Sequence, residues 1–205
     1  EVESTSDINN SLKKLSRDSL LNLYKRSLLY FKKSDYKNVE REIVPIYNSN
    51  PNNLYIAILY AQTLTEQNNL DEALVVLNKI KNIYPHNSII SFTIAEILIE
   101  NNINLNYAEK LMIKHEKNYK LNPNFLRLIS KLYTLQNNMY KSSVFLSDYY
   151  VLLNNIDLAI EVLNNTIRSS KINNTQKKIL LTKKERIICE NPRRLQPLYG
   201  EKDCY

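Results

Sequence analysis

The 205-residue sequence predicts an all-α fold, a solenoid of helix-turn-helix repeats that ends in irregular capping helices at the C-terminus. Three observations predict it. Similar proline-asparagine turns return at a nearly constant spacing, and the apolar residues between them recur three or four apart, which is the helical period. In addition, glycine occurs only once, so asparagine must supply the residues for the turns between helices.

The proline turns give the length of the repeat. NPNN and YPHN contain Pro51 and Pro85, and Pro123 in NPN follows after a slightly longer interval. Tetratricopeptide arrays repeat every ~34 residues, each unit being a helix, a turn and a second helix with a proline near its end, and the separation of Pro51 from Pro85 equals that period. The spacing therefore predicts tetratricopeptide-type units, with proline stopping the second helix of each unit.

On this spacing, one unit runs from Leu20 to Asn53, the next from Leu54 to Asn87, and a third starts at Ser88. Small or β-branched side chains are expected where the two helices of a unit cross, because they let the backbones approach. The equivalent sites are Ser27, Ala61 and Ala95 in the first helices and Val39, Ala73 and Ala108 in the second helices.

The chain after Pro123 is expected to be less regular, because terminal units of a solenoid meet solvent on one face. Four helices are predicted there: Asn124–Gln136, Met139–Leu153, Ile156–Ser170 and Thr175–Glu190. The whole chain is accordingly divided into a lead-in of residues 1–19 containing a short helix or loose segment, a repeat domain of residues 20–190 and a tail of residues 191–205.

Asparagine doublets fall where left-handed turn residues are needed. The single glycine, Gly200, lies in the tail. Asparagine tolerates a positive φ better than other non-glycine residues, so it is the natural substitute. The doublets are Asn68-Asn69, Asn101-Asn102, Asn137-Asn138 and Asn154-Asn155.

Composition and motifs exclude several function classes. The chain is 43% apolar and 24% charged, which is typical of a soluble globular protein, and no apolar run reaches the roughly 18 residues of a membrane-spanning helix. The sequence begins EVESTSDINN without a visible leader, so we expect a targeting signal to be absent or already removed. A chain with one glycine cannot carry a glycine-rich nucleotide loop.

Catalysis by this segment is not expected. HEKNY, from His115 to Tyr119, resembles a zinc-binding HExxH motif but has tyrosine in place of the second histidine. The other histidine, His86, lies in a proline turn, so no metal triad can be assembled, and nothing in the sequence brings either histidine toward a particular serine. We expect His115 to be a packing residue, and we expect no cofactor and no metal.

The C-terminal half resembles a particular family. The segment from Lys131 to Glu190 carries Tyr149-Tyr150, Asn155-Ile156-Asp157, Ala159-Ile160 and Arg186-Ile187 in an order similar to the end of the tetratricopeptide region of periplasmic zinc metalloproteases of the β-barrel assembly-enhancing type. The resemblance extends to roughly residues 20–190. Asparagine replaces the usual turn glycines of that family, and residues 192–205 match nothing in it.

The resemblance implies a non-catalytic module that recruits partners for a periplasmic metalloprotease in outer-membrane protein quality control. The catalytic HExxH domain would precede this segment, and the partners would be that protease domain, the outer-membrane assembly machinery or unfolded β-barrel substrates. Two alternatives remain open: a free-standing cytosolic tetratricopeptide scaffold or secretion chaperone, and an RNA-binding helical repeat, which is less favoured because the basic segment has no aromatic residues to stack on bases.

Two surfaces and one cysteine pair are the candidate functional features. The predicted partner-binding groove, on the first helices of the units, is formed by Tyr24, Leu28, Phe31, Ile58, Gln62, Thr65, Phe92, Glu96 and Ile99. The basic surface, either a solvated face or a docking site for acidic loops or anionic lipids, is formed by Arg168, Lys171, Lys177, Lys178, Lys183, Lys184, Arg186, Arg193 and Arg194. Cys189 and Cys204 would form a disulfide in an oxidising periplasm and remain two thiols in a reducing cytosol.

Overall fold

The computed structural model describes residues 5–191, and these residues form eleven α-helices and no strand, which confirms the all-α prediction. The helices are α1 (Thr5–Lys14), α2 (Leu20–Lys32), α3 (Tyr36–Ser49), α4 (Leu54–Glu66), α5 (Leu70–Ile83), α6 (Ser88–Glu100), α7 (Leu105–Tyr119), α8 (Pro123–Leu135), α9 (Met139–Leu152), α10 (Ile156–Ile167) and α11 (Asn174–Glu190).

The chain divides into two compact parts, and the boundary falls within α6. We call them the N-terminal half, Glu1–Ile97, and the C-terminal half, Leu98–Tyr205. In the N-terminal half α1 packs on α2, α2 packs on α3 and α4, α3 packs on α4, and α4 packs on α5. In the C-terminal half α7 packs on α8, α8 packs on α9, α9 packs on α10, and α11 packs on both α9 and α10. The division into lead-in, repeat domain and tail stays a prediction.

The repeat continues further along the chain than the prolines indicate. Helices α2, α4, α6, α8 and α10 begin at Leu20, Leu54, Ser88, Pro123 and Ile156. Successive starts keep the tetratricopeptide period of about 34 residues with almost no variation. Irregularity is confined to α11, which has 17 residues and follows a longer connection, residues 168–173. The expectation that the spacing becomes irregular directly after Pro123 is therefore wrong.

Pro123 has a different place in its repeat from the earlier prolines, so it does not mark the end of the regular spacing. Pro51 lies two residues before Asn53, whose side-chain oxygen accepts hydrogen bonds from the first free N–H groups of α4. Pro123 instead is the first residue of α8, where its fixed φ and missing N–H suit a helix start, and Asn122 caps the helix by accepting from Phe125 N–H at 3.0 Å. Pro123 begins a unit and does not end one.

The asparagine turns form as the doublets predict. Asn68, Asn102, Asn137 and Asn154 have φ of 61°, 55°, 58° and 56°. After each left-handed residue the next N–H bonds back to a carbonyl in the last helical turn, as in Asn69 N–H to Leu64 O at 2.8 Å. This is the hydrogen-bonding pattern of a Schellman motif, in which a left-handed residue ends the helix.

The residues expected at the helix crossings are buried. The six sites expected there are all fully buried: Ser27, Val39, Ala61, Ala73, Ala95 and Ala108. The fourth unit continues the series with Ser130 on α8 and Ser142 on α9, which are 3% and 8% exposed. The register predicted from the sequence ends at Pro123 and so does not reach these two serines.

Polar side chains also connect successive units in a repeated way. Gln67, which follows α4, donates to Glu40 on α3 through Nε2 and Oε2 at 3.0 Å. Gln136, which follows α8, donates to Glu109 on α7 through the same atoms at 3.0 Å. The two pairs occupy equivalent positions, so the second helix of a unit is fixed to the first helix of the next by the same interaction.

A buried ion pair attaches α1 to the first repeat. Arg26 on α2 donates from Nη1 to the carbonyl oxygens of Leu12 and Leu15, at 2.9 and 3.0 Å, where the end of α1 leaves carbonyls without helical partners. The same guanidinium donates from Nη2 to Glu42 on α3 at 3.2 Å, and Arg17 adds two bonds to that carboxylate at 2.9 and 3.1 Å. These bonds dock the end of α1 against the first repeat.

In the C-terminal half the last helices share an apolar cluster. Its buried members come from α10, α11 and the connection between them: Ile156, Ile160, Leu163, Ile172, Leu180, Ile187 and Ile188. Partly buried side chains of α9, including Tyr140 and Val144, pack against this cluster. The cluster fixes α11 beside α9 and so positions the basic residues of α11.

Candidate protein-interaction surfaces

The predicted groove residues occupy the fifth, ninth and twelfth positions of α2, α4 and α6. Positions with these spacings lie on one face of a helix, one above the other. On α2, Tyr24 and Phe31 are half-buried and Leu28 is 38% exposed. This face of α2 therefore presents aromatic and aliphatic surface to solvent.

The same face of the next two helices is more polar. On α4, Ile58, Gln62 and Thr65 are half-buried, and on α6, Phe92 and Glu96 are half-buried. Each of these side chains keeps part of its surface accessible. Their role in binding a partner remains a prediction.

Ile99 does not belong to the groove. Its side chain has no exposed surface, so the assignment of its twelfth position in α6 to a partner-binding wall is wrong. The reason is that α6 is apolar on most sides, and Ile94, Ile97 and Leu98 are buried as well. In such a helix the pattern of apolar residues does not indicate which of them faces solvent.

An exposed apolar row lies at the second position of the same three helices. It consists of Leu21, Tyr55 and Ile89, which are 57%, 63% and 48% exposed and which recur with the period of the repeat. Each lies three residues before a predicted groove position, hence on the adjoining part of the face. The groove predicted from the sequence does not include this apolar row, although its large apolar residues recur at equivalent positions of the repeat.

The groove face of α2 and the apolar-row residue Tyr55 of α4 lie on helices that pack on each other. Burial raises the pKa of Tyr24, and the electrostatic effect of Tyr55 raises it further. Because Tyr24 lies on α2 and Tyr55 on α4, the effect joins neighbouring helices, and α2 and α4 are in direct contact.

The basic residues of the C-terminal helices do not form a uniform patch. Lys183 Nζ lies 2.5 Å from Asp148 Oδ1 on α9, and its side chain is only 11% exposed. Lys184 Nζ donates to Asn164 Oδ1 on α10 at 2.8 Å. These two lysines connect helices, and their charges are directed toward the protein.

The other basic side chains of the described segment are less enclosed. Arg168, Lys171, Lys178 and Arg186 are exposed, and Lys177 is half-buried. Arg193 and Arg194 lie outside the described residues, as does Cys204. The extended basic surface and the Cys189–Cys204 disulfide therefore remain predictions.

A depression with a volume of 440 Å³ lies between α9 and α11, and we call it the α9–α11 groove. It is lined by Tyr140, Val144, Lys178, Ile179, Thr182, Lys183 and Arg186. Two of its basic side chains, those of Lys178 and Arg186, are exposed. It combines apolar surface with positive charge, which the sequence alone did not indicate because α9 and α11 are far apart in the chain.

The two histidines stay apart from any cluster of metal ligands. Within residues 5–191, no three His, Cys, Asp or Glu side chains come together as metal ligands. His115 is half-buried on α7 and His86 is exposed in the turn before α6. None of the helices in the described range is long and apolar enough to cross a membrane.

The repeated hairpins, left-handed asparagine turns and small residues at the crossings define a tetratricopeptide-type helical repeat, and solved structures confirm that fold. The crystal structure of PilW, a widely conserved type IV pilus biogenesis factor, superposes with a TM-score of 0.60 over 86% of this chain and 89% of PilW, at 14% identity. Yeast Tom70 superposes with a TM-score of 0.52 and 18% identity over 96% of this chain, which spans 46% of the Tom70 chain. No protein-family model matches the sequence, and no curated protein matches it.

Proposed function

We propose that this chain is a protein-interaction module that holds a segment of a partner protein against the exposed face of α2, α4 and α6. The observation that carries the proposal is the apolar row of Leu21, Tyr55 and Ile89, whose side chains are about half exposed or more at equivalent positions. The exposed part of a large apolar side chain contributes no burial energy to folding, and that energy becomes available when a partner covers it. The neighbouring half-buried aromatics, Tyr24 and Phe92, are suited to act as anchors.

Site-specific photocrosslinking in the source cells tests this proposal. A photoreactive phenylalanine analogue at position 55 or 89 is expected to crosslink one defined partner. The matched control is position 75, where Val75 is 51% exposed on α5, outside the apolar row. Equal crosslinking from position 75 would show non-specific contact and contradict the proposal.

We further propose that the partner system is a periplasmic metalloprotease acting on outer-membrane proteins, with this chain as its recruiting module. The support is the resemblance of residues 131–190 to the end of the tetratricopeptide region in such proteases. The chemistry would take place in another domain, and the partners would be β-barrel substrates or their assembly machinery. A free-standing cytosolic scaffold or secretion chaperone is the alternative.

The reading frame upstream of Glu1 distinguishes these two systems. A secretory signal followed by a helix with HExxH is expected for the protease module. A start codon close to Glu1 with no catalytic domain would contradict it and favour the scaffold. The crosslinking experiment retains its meaning in either case, because it tests the binding face and not the partner system.

A further inference from the structure

The α9–α11 groove differs from the apolar row in charge and in location, since all its lining residues belong to the C-terminal half. We propose that it binds an extended acidic segment of a protein partner, with one carboxylate at Lys178, one at Arg186 and an apolar side chain between them. This second site does not depend on the function proposed for the apolar row.

The charges of the groove are available to a ligand at its two ends. Among residues 5–191, Lys178 has no carboxylate within ion-pair distance. Arg186 has one acidic neighbour, Glu190, at 3.7 Å, and both side chains are about 60% exposed, so solvent screens this pair and another carboxylate can replace it. Lys183, between them, is already neutralised by Asp148.

The middle of the groove offers apolar surface. Ile179 is 48% exposed although it directly follows a lysine on a helix rich in charge. On α9, Tyr140 and Val144 line the same groove, are half-buried and pack against the apolar cluster of the C-terminal half. A ligand side chain placed there would cover Ile179 against a floor that is already fixed.

The spacing of the charges defines the ligand. Lys178 and Arg186 lie a little over two helical turns apart on α11, which corresponds to about 12 Å along the helix axis. An extended peptide covers that distance with about four residues. The groove therefore fits two acidic residues four positions apart with an apolar residue midway, as in Glu-Ser-Phe-Ser-Glu.

The rim of the groove favours such a peptide over a polyphosphate chain or a lipid surface. Asp148 and Glu190 flank it, and their side chains are 37% and 59% exposed. A row of phosphates would bring negative charge against both carboxylates, which is unfavourable. A peptide can place neutral residues next to them and its carboxylates at the basic positions.

The test uses fluorescence anisotropy at an ionic strength of about 0.15 M, where the Debye length is about 8 Å. It compares a labelled peptide containing Glu-Ser-Phe-Ser-Glu with a second peptide that has Gln in place of both Glu. The wild-type chain is expected to bind the acidic peptide at least about tenfold more tightly than the Gln peptide, since each tenfold corresponds to one modest charge-assisted contact or two weak ones. Lys178→Gln combined with Arg186→Gln is expected to weaken binding of the acidic peptide about tenfold.

The matched control is Arg168→Gln combined with Lys177→Gln, which removes the same charge outside the groove lining. It is expected to change the affinity less than about twofold, because screened surface charges act weakly at a distance. Ile179→Ser gives an independent readout: it alters a half-exposed side chain, so the fold should persist while affinity for the Phe-containing peptide falls.

Two results would overturn the proposal. Equal losses from the two double variants would show that general positive charge and not the groove attracts the peptide. Failure of the wild-type chain to bind the peptide, with sedimentation on phosphatidylserine vesicles that Lys178→Gln and Arg186→Gln abolish, would assign the surface to anionic lipid.

Discussion

The Ser130 hydroxyl lies 3.3 Å from the Ser142 hydroxyl and 3.2 Å from the Ser142 carbonyl oxygen, where α8 crosses α9. Thr134 on α8 adds a third hydroxyl, 2.7 Å from Ser142 Oγ. Serine at this crossing thus does what alanine does in the earlier units, keeping the backbones close, and its buried hydroxyl is satisfied across the interface.

Leucine at this crossing is expected to destabilise the chain. Ser142→Leu, and Ala73→Leu at the equivalent site of α5, should lower the free energy of unfolding by ~1–3 kcal/mol, because the added volume forces the helices apart. Ser142→Ala should cost about 1 kcal/mol or less, since its neighbours retain other acceptors. Urea denaturation measures both, with Val75→Leu on the exposed side of α5 as control; unchanged midpoints for the two leucine variants would show that the register is wrong.

The left-handed turn residues give a second prediction. Asn137→Ala should lower the free energy of unfolding by about 1 kcal/mol, because alanine at a φ of 58° keeps the Cβ strain but lacks the polar side chain that offsets it by local hydrogen bonding. Asn137→Gly should be neutral within about 0.5 kcal/mol, since glycine adopts this conformation without strain but gains entropy in the unfolded chain. Asn82→Ala, at an exposed site within α5, is the control. An equal loss of unfolding free energy there would show that the loss at Asn137 does not depend on the left-handed turn.

The buried carboxylate at α3 predicts a pH dependence of stability. Burial raises the pKa of Glu42, but the hydrogen bonds from Arg26 and Arg17 outweigh it and hold the pKa below the ordinary value of 4.5. Because the folded-state pKa is lowered, this contribution to stability is fully present above pH 4.5 and is lost as the pH falls through the folded-state value.

Glu42→Gln should therefore destabilise the chain at pH 7 by ~3–5 kcal/mol, leaving Arg26 buried without its anion. It should also remove part of the decline in stability as the pH falls below 4.5. Urea midpoints across that range measure the effect, with the exposed Glu66→Gln as control. A variant whose pH profile parallels the wild type would contradict a special role for Glu42.

The exposed apolar row predicts a separation of binding from folding. Tyr55→Ser should leave the thermal midpoint nearly unchanged, because the side chain is 63% exposed, and should reduce crosslinking from position 89 to the partner. Phe92→Ala should also weaken binding more than folding. Val75→Ser is the matched control, and normal crosslinking in the Tyr55→Ser variant would remove the apolar row from the binding face.

The two cysteines give a prediction about compartment. In a chain exported to an oxidising compartment, Cys189 and Cys204 are expected to pair and close a loop of about 15 residues, which a chain-entropy estimate values near 3 kcal/mol. Mass spectrometry after thiol alkylation without reductant should then find no alkylated cysteine. Two alkylated cysteines in protein isolated from the source cells would contradict the bridge and favour the cytosolic alternative.

The local features of the fold could be predicted from the sequence because their causes lie within a few residues. A positive φ at Asn68 or Asn154 follows from asparagine at a helix end, and the helix starts follow from side chains that cap nearby N–H groups. Pro123 shows the limit of such signals. Proline marks both the exit from one helix and the first turn of the next, and the sequence does not say which.

The sequence by itself determined the helical hairpins, the period of their repeat and the small residues at the crossings, since these depend on backbone preference and side-chain volume. Only the tertiary structure decided that Ile99 is buried, that Arg26 joins α1 to Glu42, and that Lys183 is neutralised by Asp148. The contacts of Arg26 and Lys183 join residues that are 14 to 35 positions apart in the chain. Which side chains meet at such separations is set by how whole helices pack, and local composition does not contain that information.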